Sequence, residues 1–119
     1  MHELAIADAI LDAVRVEMKR YPDARPLRIK VRVGELTAID PEALQFTFGA
    51  LTQATALAHL QLEIERCKRV HHCTECEEEF AVVDLNLRCP RCGSANTRFV
   101  SGDQLELASL EMDNESSAA

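Results

Sequence analysis

Two Cys-x-x-Cys pairs, Cys73-Thr74-Glu75-Cys76 and Cys89-Pro90-Arg91-Cys92, stand twelve residues apart in a chain of 119. No other feature restricts the fold so much. Two residues between cysteines let both thiolates of a tight turn aim at one centre, and two such turns complete the tetrahedral four-sulfur set that Zn²⁺ favours. Gly93, after the second pair, suits the positive φ that such turns call for. The surrounding stretch offers only Phe80, Val82, Val83, Leu85, Leu87, Phe99 and Val100 as a core, so metal ligation is expected to supply most of its folding energy. Four cysteines leave no open coordination position. The site therefore reads as structural zinc on Cys73, Cys76, Cys89 and Cys92.

The compartment bears on that reading. Met1-His2-Glu3 has no basic leader, and the longest apolar runs are a few residues, as in Ala5-Ile6-Ala7. Neither a signal peptide nor a membrane span is expected, and the chain is assigned to the cytoplasm. Thiols stay reduced there, which disfavours disulfides. Iron at the same four sulfurs is the redox alternative and would colour the protein red. The fifth cysteine, Cys67, reads as a plain thiol on the continuation of a strand. His71 and His72 adjoin the first pair and read as polar surface residues, or else as extra ligands. His59 reads as a surface residue at a helix end.

Outside the cysteine stretch the chain alternates between two periods. Leu4, Ala7, Leu11, Val14 and Met18 recur at spacings of 3 and 4, one stripe of a helix that Pro22 ends. Residues 27–33 alternate, with Leu27, Ile29, Val31 and Val33 against Arg28, Lys30 and Arg32, which predicts a strand with one buried face. Gly34 then loosens that strand towards a loop. Asp40-Pro41-Glu42 starts a second helix, with Asp40 as N-cap and Pro41 preset at the first turn, and Leu44, Phe48 and Leu51 as its buried face. Gly49 within it implies either a close helix approach or a tolerated weakness. A second strand follows with Leu60, Leu62 and Ile64 inward. A third runs over residues 103–113, where Leu105 and Leu107 are out of phase with Leu110 and Met112, so a bulge or bend is expected at Ala108-Ser109. Arg28, Lys30 and Arg32 on one strand and Glu63, Glu65 and Glu106 on the others favour a basic strand beside an acidic one.

The expected architecture is α+β. Two helices cover one face of a three-stranded sheet, built from residues 1–66 plus 102–113, and a zinc-ribbon-like lobe, residues 67–101, is inserted between the second and third strands. Residues 114–119 hold nothing apolar enough to bury and read as a frayed tail.

The start of the chain offers a second metal chemistry. The Met1 terminal amine, the His2 amide nitrogen and the His2 imidazole can close two fused rings around one ion, an in-plane nitrogen set that suits Ni²⁺ or Cu²⁺. Glu3, or a residue folded nearby, can add a fourth donor. Taken alone, a histidine at position 2 also reads as incidental.

Met1-His2-Glu3, Val31-Arg32-Val33-Gly34-Glu35-Leu36, Ile39-Asp40-Pro41-Glu42-Ala43-Leu44, the two cysteine pairs with Cys-Pro-Arg-Cys-Gly, and Ser109-Leu110-Glu111-Met112 together resemble the HypA/HybF family of nickel-insertion accessory proteins for [NiFe] hydrogenase. The resemblance runs nearly end to end. It implies a nickel metallochaperone, not an enzyme, with a nickel-binding and a zinc-binding lobe. Ni(II) is then transient cargo on His2, helped by the Met1 terminal amine and Glu3, and Zn(II) is structural on Cys73, Cys76, Cys89 and Cys92. Asp40 aligns with a position that can assist nickel, although its capping role explains it fully. The implied partners are a HypB-type nickel GTPase and the hydrogenase large-subunit precursor, with urease maturation as a further target in some relatives. Cys67, His71 and His72 fall outside the pattern.

Rival classes are weighed by charge and ligand count. A zinc-ribbon nucleic-acid or protein-binding adaptor is conceivable from Lys68, Arg69, Arg88, Arg91 and Arg98. Against a nucleic-acid partner stand 13 basic and 20 acidic residues, a net charge of −7, and no interleaved aromatics. A zinc hydrolase lacks an open metal position, and no Ser/His/Asp or Glu/His constellation stands out. The long insertion between two strands gives an opportunity for domain swapping and hence for a homodimer.

Overall fold

The computed structural model describes residues 2–114, with only the backbone described at His2. In chain order the elements are α1 (His2–Arg20), β1 (Ala24–Gly34), a 3₁₀ turn (Glu35–Thr37), α2 (Pro41–Thr52), β2 (Gln61–Cys67), β3 (Val70–Cys73), β4 (Glu79–Ala81), β5 (Thr97–Ser101) and β6 (Leu105–Asn114). They form two units. One comprises Met1–Arg32, Ile39–Glu65 and Glu106–Ala119, and the other Val33–Ala38 and Arg66–Leu105. The segment Val33–Ala38 thus goes with the cysteine-bearing unit. Asn114 ends β6, while the rest of the expected tail lies outside the described residues.

Unit 1 is two helices and the sheet β2-β1-β6. The basic strand is central, flanked by both acidic ones, as the charge pattern favours. Arg32 Nε donates to Glu65 Oε2 at 2.8 Å and its Nη1 to Glu106 Oε1 at 3.3 Å. Both carboxylates hold the Arg32 guanidinium pKa above its ordinary value, Glu65 first. These pairs are exposed and screened by water, so they select a strand neighbour more than they stabilise the sheet. The core is Ala7, Ile10, Leu11 and Val14 of α1, Ile29 and Val31 of β1, Leu44 and Phe48 of α2, and Leu57, Leu60 and Leu62.

Three details of the pattern shift. Leu4 is 58% exposed and Ile10 is buried in its stead, so the α1 stripe starts one turn later than its spacing suggests. Leu27 is exposed while Pro26 is buried, so the alternation of β1 changes phase before Ile29. Leu51 is only half-buried, and Thr52 takes the buried place with its hydroxyl donating to the Phe48 carbonyl at 3.0 Å. Along β6, Leu107, Leu110 and Met112 line one cavity of about 280 Å³ with Ala13, Val14 and Ile29. Burial along the strand keeps a single period of two, with Ala108, Leu110 and Met112 half-buried and Leu105 and Leu107 exposed, so it carries no phase change at Ala108-Ser109. Nothing lies within 4 Å of a Cβ built on Gly49, so the glycine marks no close approach; it borders a cleft of about 580 Å³ with Phe48, Leu60 and Leu62.

Unit 2 carries the sheet β4-β3-β5, with β3 antiparallel to both neighbours. Its backbone closes tightly at two glycines. A Cβ on Gly34 would collide with the Gly102 carbonyl and approach the Gln104 nitrogen to 2.6 Å, and one on Gly102 would meet the Arg69 Cα at 2.6 Å. Gly34 is therefore a contact point between chain segments, where the sequence suggests only a loosening strand.

Candidate metal centre

Each cysteine pair is held by the same backbone device. In the first, Cys73 N–H donates to the Glu78 carbonyl at 2.8 Å and Glu77 N–H to the Cys73 carbonyl at 2.9 Å; in the second, Cys89 N–H donates to Ser94 at 3.0 Å and Gly93 N–H to Cys89 at 2.8 Å. The residue one place after each second cysteine is left-handed, with φ +66° at Glu77 and +78° at Gly93. Glycine adopts that conformation at no steric cost, whereas a side chain there is strained. The two turns are tied together by Thr74, whose N–H and hydroxyl both donate to the Asn96 carbonyl, at 3.0 and 2.8 Å, and by Asn96 Nδ2 to Glu75 Oε1 at 2.8 Å. Arg91 pairs with Glu78 across the turns at 3.1 Å.

The result is one cluster. The sulfurs of Cys73, Cys76, Cys89 and Cys92 all lie within 4.8 Å of one another, with Cys73 Sγ to Cys92 Sγ at 3.5 Å and Cys76 Sγ to Cys89 Sγ at 3.6 Å. Tetrahedral zinc with sulfur bonds of about 2.3 Å needs sulfur–sulfur edges of about 3.8 Å. The donor set fits such an ion. Its proton chemistry points the same way. The Cys76 thiol is pushed up to about 12, by burial first and then by its three thiol neighbours. At Cys89 burial also raises the pKa, but backbone N–H groups of Cys92 and Arg91 and the adjoining thiols outweigh it and hold the group at about 7. Cys92 is drawn down by the Ser94 N–H, yet the Cys73 thiol and burial prevail and raise it. Packed thiols of this kind do not ionise together unless a cation balances them.

The neighbouring residues land differently from their sequence reading. His71 is not on a polar surface: it is 4% exposed, edge-on to Phe99 at 6.0 Å between ring centroids and beside Phe80 at 6.3 Å. Arg69 Nε donates to its Nε2 at 3.1 Å, and Thr97 Oγ1 lies 3.4 Å from its Nδ1. Burial, and then the Arg69 charge, lower its pKa. His72 reaches Glu77 at 3.4 Å. Neither histidine belongs to the sulfur cluster, nor does Cys67 at the end of β2. Of the expected apolar core of the lobe, Val82 is buried and Phe80 half-buried, while Val83 and Leu85 are 66% and 83% exposed and Leu87, Phe99 and Val100 are exposed too. Of the basic residues, Arg69, Arg88 and Arg91 are engaged with His71, the Gly93 carbonyl and Glu78. His59 lies exposed in the turns that follow α2.

At the other end of the chain, the Met1 amine and the His2 imidazole lie outside the described residues. Glu3 and Asp40 do come together within unit 1. Asp40 N–H donates to Glu3 Oε2 at 3.2 Å, and Asp40 Oδ1 accepts from Glu42 N–H at 3.0 Å as the N-cap of α2. Sequence reasoning places Thr74, Glu77 and Asn96 in no role. Superposing the two cysteine pairs by position exposes Glu77, since it occupies the place Gly93 holds.

Comparison with known proteins joins these observations. Residues 1–112 match the family described as hydrogenase/urease nickel incorporation, metallochaperone, HypA. The hydrogenase maturation factor HypA of Pelodictyon phaeoclathratiforme is 36% identical over 97% of this chain and 98% of its own, and that of Deinococcus radiodurans is 39% identical over 90% and 89%. Among solved structures, a HypA solution structure superposes with a TM-score of 0.68 at 24% identity over 97% of this chain and 98% of that one. The nickel metallochaperone HypA of Helicobacter pylori gives 0.59 at 23% over 92% and 96%, which supports the fold alone. No helix of the described residues is long and apolar enough to cross a membrane. With family pattern, fold and four-cysteine cluster in agreement, the chain belongs to the HypA family of nickel-incorporation metallochaperones.

Proposed function

We propose that this chain carries Ni(II) for the maturation of [NiFe] hydrogenase, taking the ion at its N-terminal end and passing it on by ligand exchange. The observation that carries the reading is the family match from residue 1 to residue 112, which takes in Met1-His2-Glu3 and both cysteine pairs in order. The Met1 amine and the His2 imidazole are the principal donors, with Glu3 and Asp40 completing the same end of unit 1. Residues 1–66 with 102–113 act as the nickel lobe and residues 67–101 as the zinc lobe, working in the cytoplasm.

No covalent step is needed. An exposed nitrogen-rich site accepts the ion, and a partner with denser or softer ligands removes it. A HypB-type nickel GTPase and the hydrogenase large-subunit precursor are the partners this reading assigns, with urease as a further target. When zinc is bound at Cys73, Cys76, Cys89 and Cys92, it supplies a cross-link that an almost coreless lobe lacks. Imidazoles and α-amines, with ordinary pKa values of about 6.5 and 7.7, must lose protons to ligate, so nickel affinity should fall between about pH 8 and pH 6.

The test is calorimetric nickel titration of untagged protein beside His2→Ala and beside a chain extended by Gly-Ser before Met1. Both changes should weaken nickel binding at least about tenfold, roughly 1.4 kcal/mol, while zinc content stays the same. Undiminished nickel uptake by His2→Ala would end the reading.

A further inference from the structure

Packing alone does not account for His71. It is 4% exposed and edge-on to Phe99, in a unit with little apolar area to spare, yet its ring is polar. A buried imidazole costs free energy unless its nitrogens are engaged. Both are engaged here, and their partners fix which nitrogen carries the proton. Arg69 Nε has only a hydrogen to offer, so His71 Nε2, 3.1 Å away, accepts. On the other side of the ring the Thr97 hydroxyl donates to the Leu87 carbonyl at 2.8 Å. Its oxygen is left to accept, so His71 Nδ1, at 3.4 Å, donates. Both ends assign the same Nδ1–H tautomer.

Hydrogen bonds therefore run in one direction from Arg69 through His71 and Thr97 to Leu87, and they reach both cysteine pairs. His71 lies on β3, which ends at Cys73, and Thr97 stands opposite Cys73 in the register of β3 with β5. Leu87 is two residues before Cys89. Apolar burial does not anchor the segment that leads to Cys89, since Val83, Leu85 and Leu87 are all exposed, and Asp84 and Leu85 both take left-handed backbone. We infer, resting on zinc at the four cysteines as proposed above, that His71 is a positioning residue of that site: its Nδ1–H fixes the Thr97 hydroxyl on the Leu87 carbonyl and so sets the second cysteine turn against the first. Groups outside a ligand set commonly orient it in this way. His71 does so without touching the ion.

The experiment loads the full chain with Co(II), whose visible bands report the geometry of a four-thiolate site, and measures affinity by competition with a chelator. Thr97→Val keeps the β-branched shape but lacks the hydroxyl, whereas Thr97→Ser keeps the hydroxyl. Thr97→Val should bind Co(II) about tenfold more weakly, with shifted bands, and Thr97→Ser should stay within about threefold of the wild type, with bands unmoved. A role in strand packing alone demands the reverse order, since valine is the better strand former, and that order would overturn the inference. His71→Phe keeps a ring against Phe80 and Phe99 without the two nitrogens and should lose about as much as Thr97→Val. Combining the two should cost little more than either, because they act as one unit; additive losses would overturn it. Ring ¹⁵N shifts of the wild type check the same point without any variant: Nδ1–H is expected, and Nε2–H would break the chain of donors and refute the role of His71. Wild-type protein without tetrahedral thiolate bands would remove the zinc site itself, while normal bands with Thr97→Val equal to the wild type would remove only the relay.

Discussion

In unit 1 the side chains of Leu11, Val14, Ile29, Leu44 and Phe48 are buried almost completely, drawn from both helices and the central strand. In unit 2 the most deeply buried side chains include Cys73 and Cys89, with His71 and Val82 beside them, while Val83 and Leu85 stand in solvent. One unit is held by apolar area removed from water, at about 25 cal/mol per Å². The other has too little of that area and concentrates its close contacts around four sulfurs. The lesson is that one chain can organise its larger unit around a core and its smaller unit around a ligand set, and that the second choice makes folding conditional on an ion.

The largest expected effect follows from removing that ion. Stripping zinc with a strong chelator should collapse the amide dispersion of unit 2 in ¹H–¹⁵N spectra and leave unit 1 intact, since structural zinc is worth an apparent 10–16 kcal/mol, about the whole stability of a small domain. Dispersed unit 2 amides after chelation would reverse the comparison. Next in size is Phe48→Ala, which should cost unit 1 about 3–5 kcal/mol in urea unfolding followed by helix signal, with zinc content unchanged. A loss under about 1 kcal/mol would mean that unit 1 does not depend on its core. The smallest effect sharpens the picture within unit 2. Gly93→Ala places a Cβ at φ +78° and should cost about 1–2 kcal/mol, whereas Glu77→Gly relieves the same conformation at φ +66° and should gain about 0.4–1 kcal/mol. The His72–Glu77 pair lost with it is exposed on the Glu77 side and subtracts only a few tenths. Competition with a chromogenic zinc chelator reads both changes; shifts of the same sign would show that the two turns are not equivalent.

Much of this arrangement was legible from local pattern. Asp40-Pro41-Glu42 marked the start of α2 because capping is a matter of adjacent residues, and the β2 alternation identified Leu60 and Leu62 because period 2 is a local property. The four cysteines were legible for the same reason. Other features were not. His71 looked polar by residue type and became part of the unit 2 interior, because Phe80 and Phe99, from strands on either side, close over it and Arg69 satisfies its ring. Leu4 and Leu27 fitted their periods but stand exposed, because Ile10 takes the buried place in α1 and Pro26 takes it in β1. Gly34 looked like a strand breaker until Gly102 was seen against it, 68 residues later in the chain.

The sequence alone determined the two helices and the three strands of unit 1, but none of β3, β4 and β5, and it determined the cap at Asp40 and a sulfur set of the right number and spacing for one ion, since each of these is set by local pattern. Tertiary structure decided that β1 lies between two acidic strands, that Gly34 and Gly102 meet, that His71 is buried, and that Glu3 leans on Asp40. Those outcomes join residues tens of positions apart. Packing selects such pairs from many that local pattern treats alike, because only the folded chain determines which surfaces leave water together.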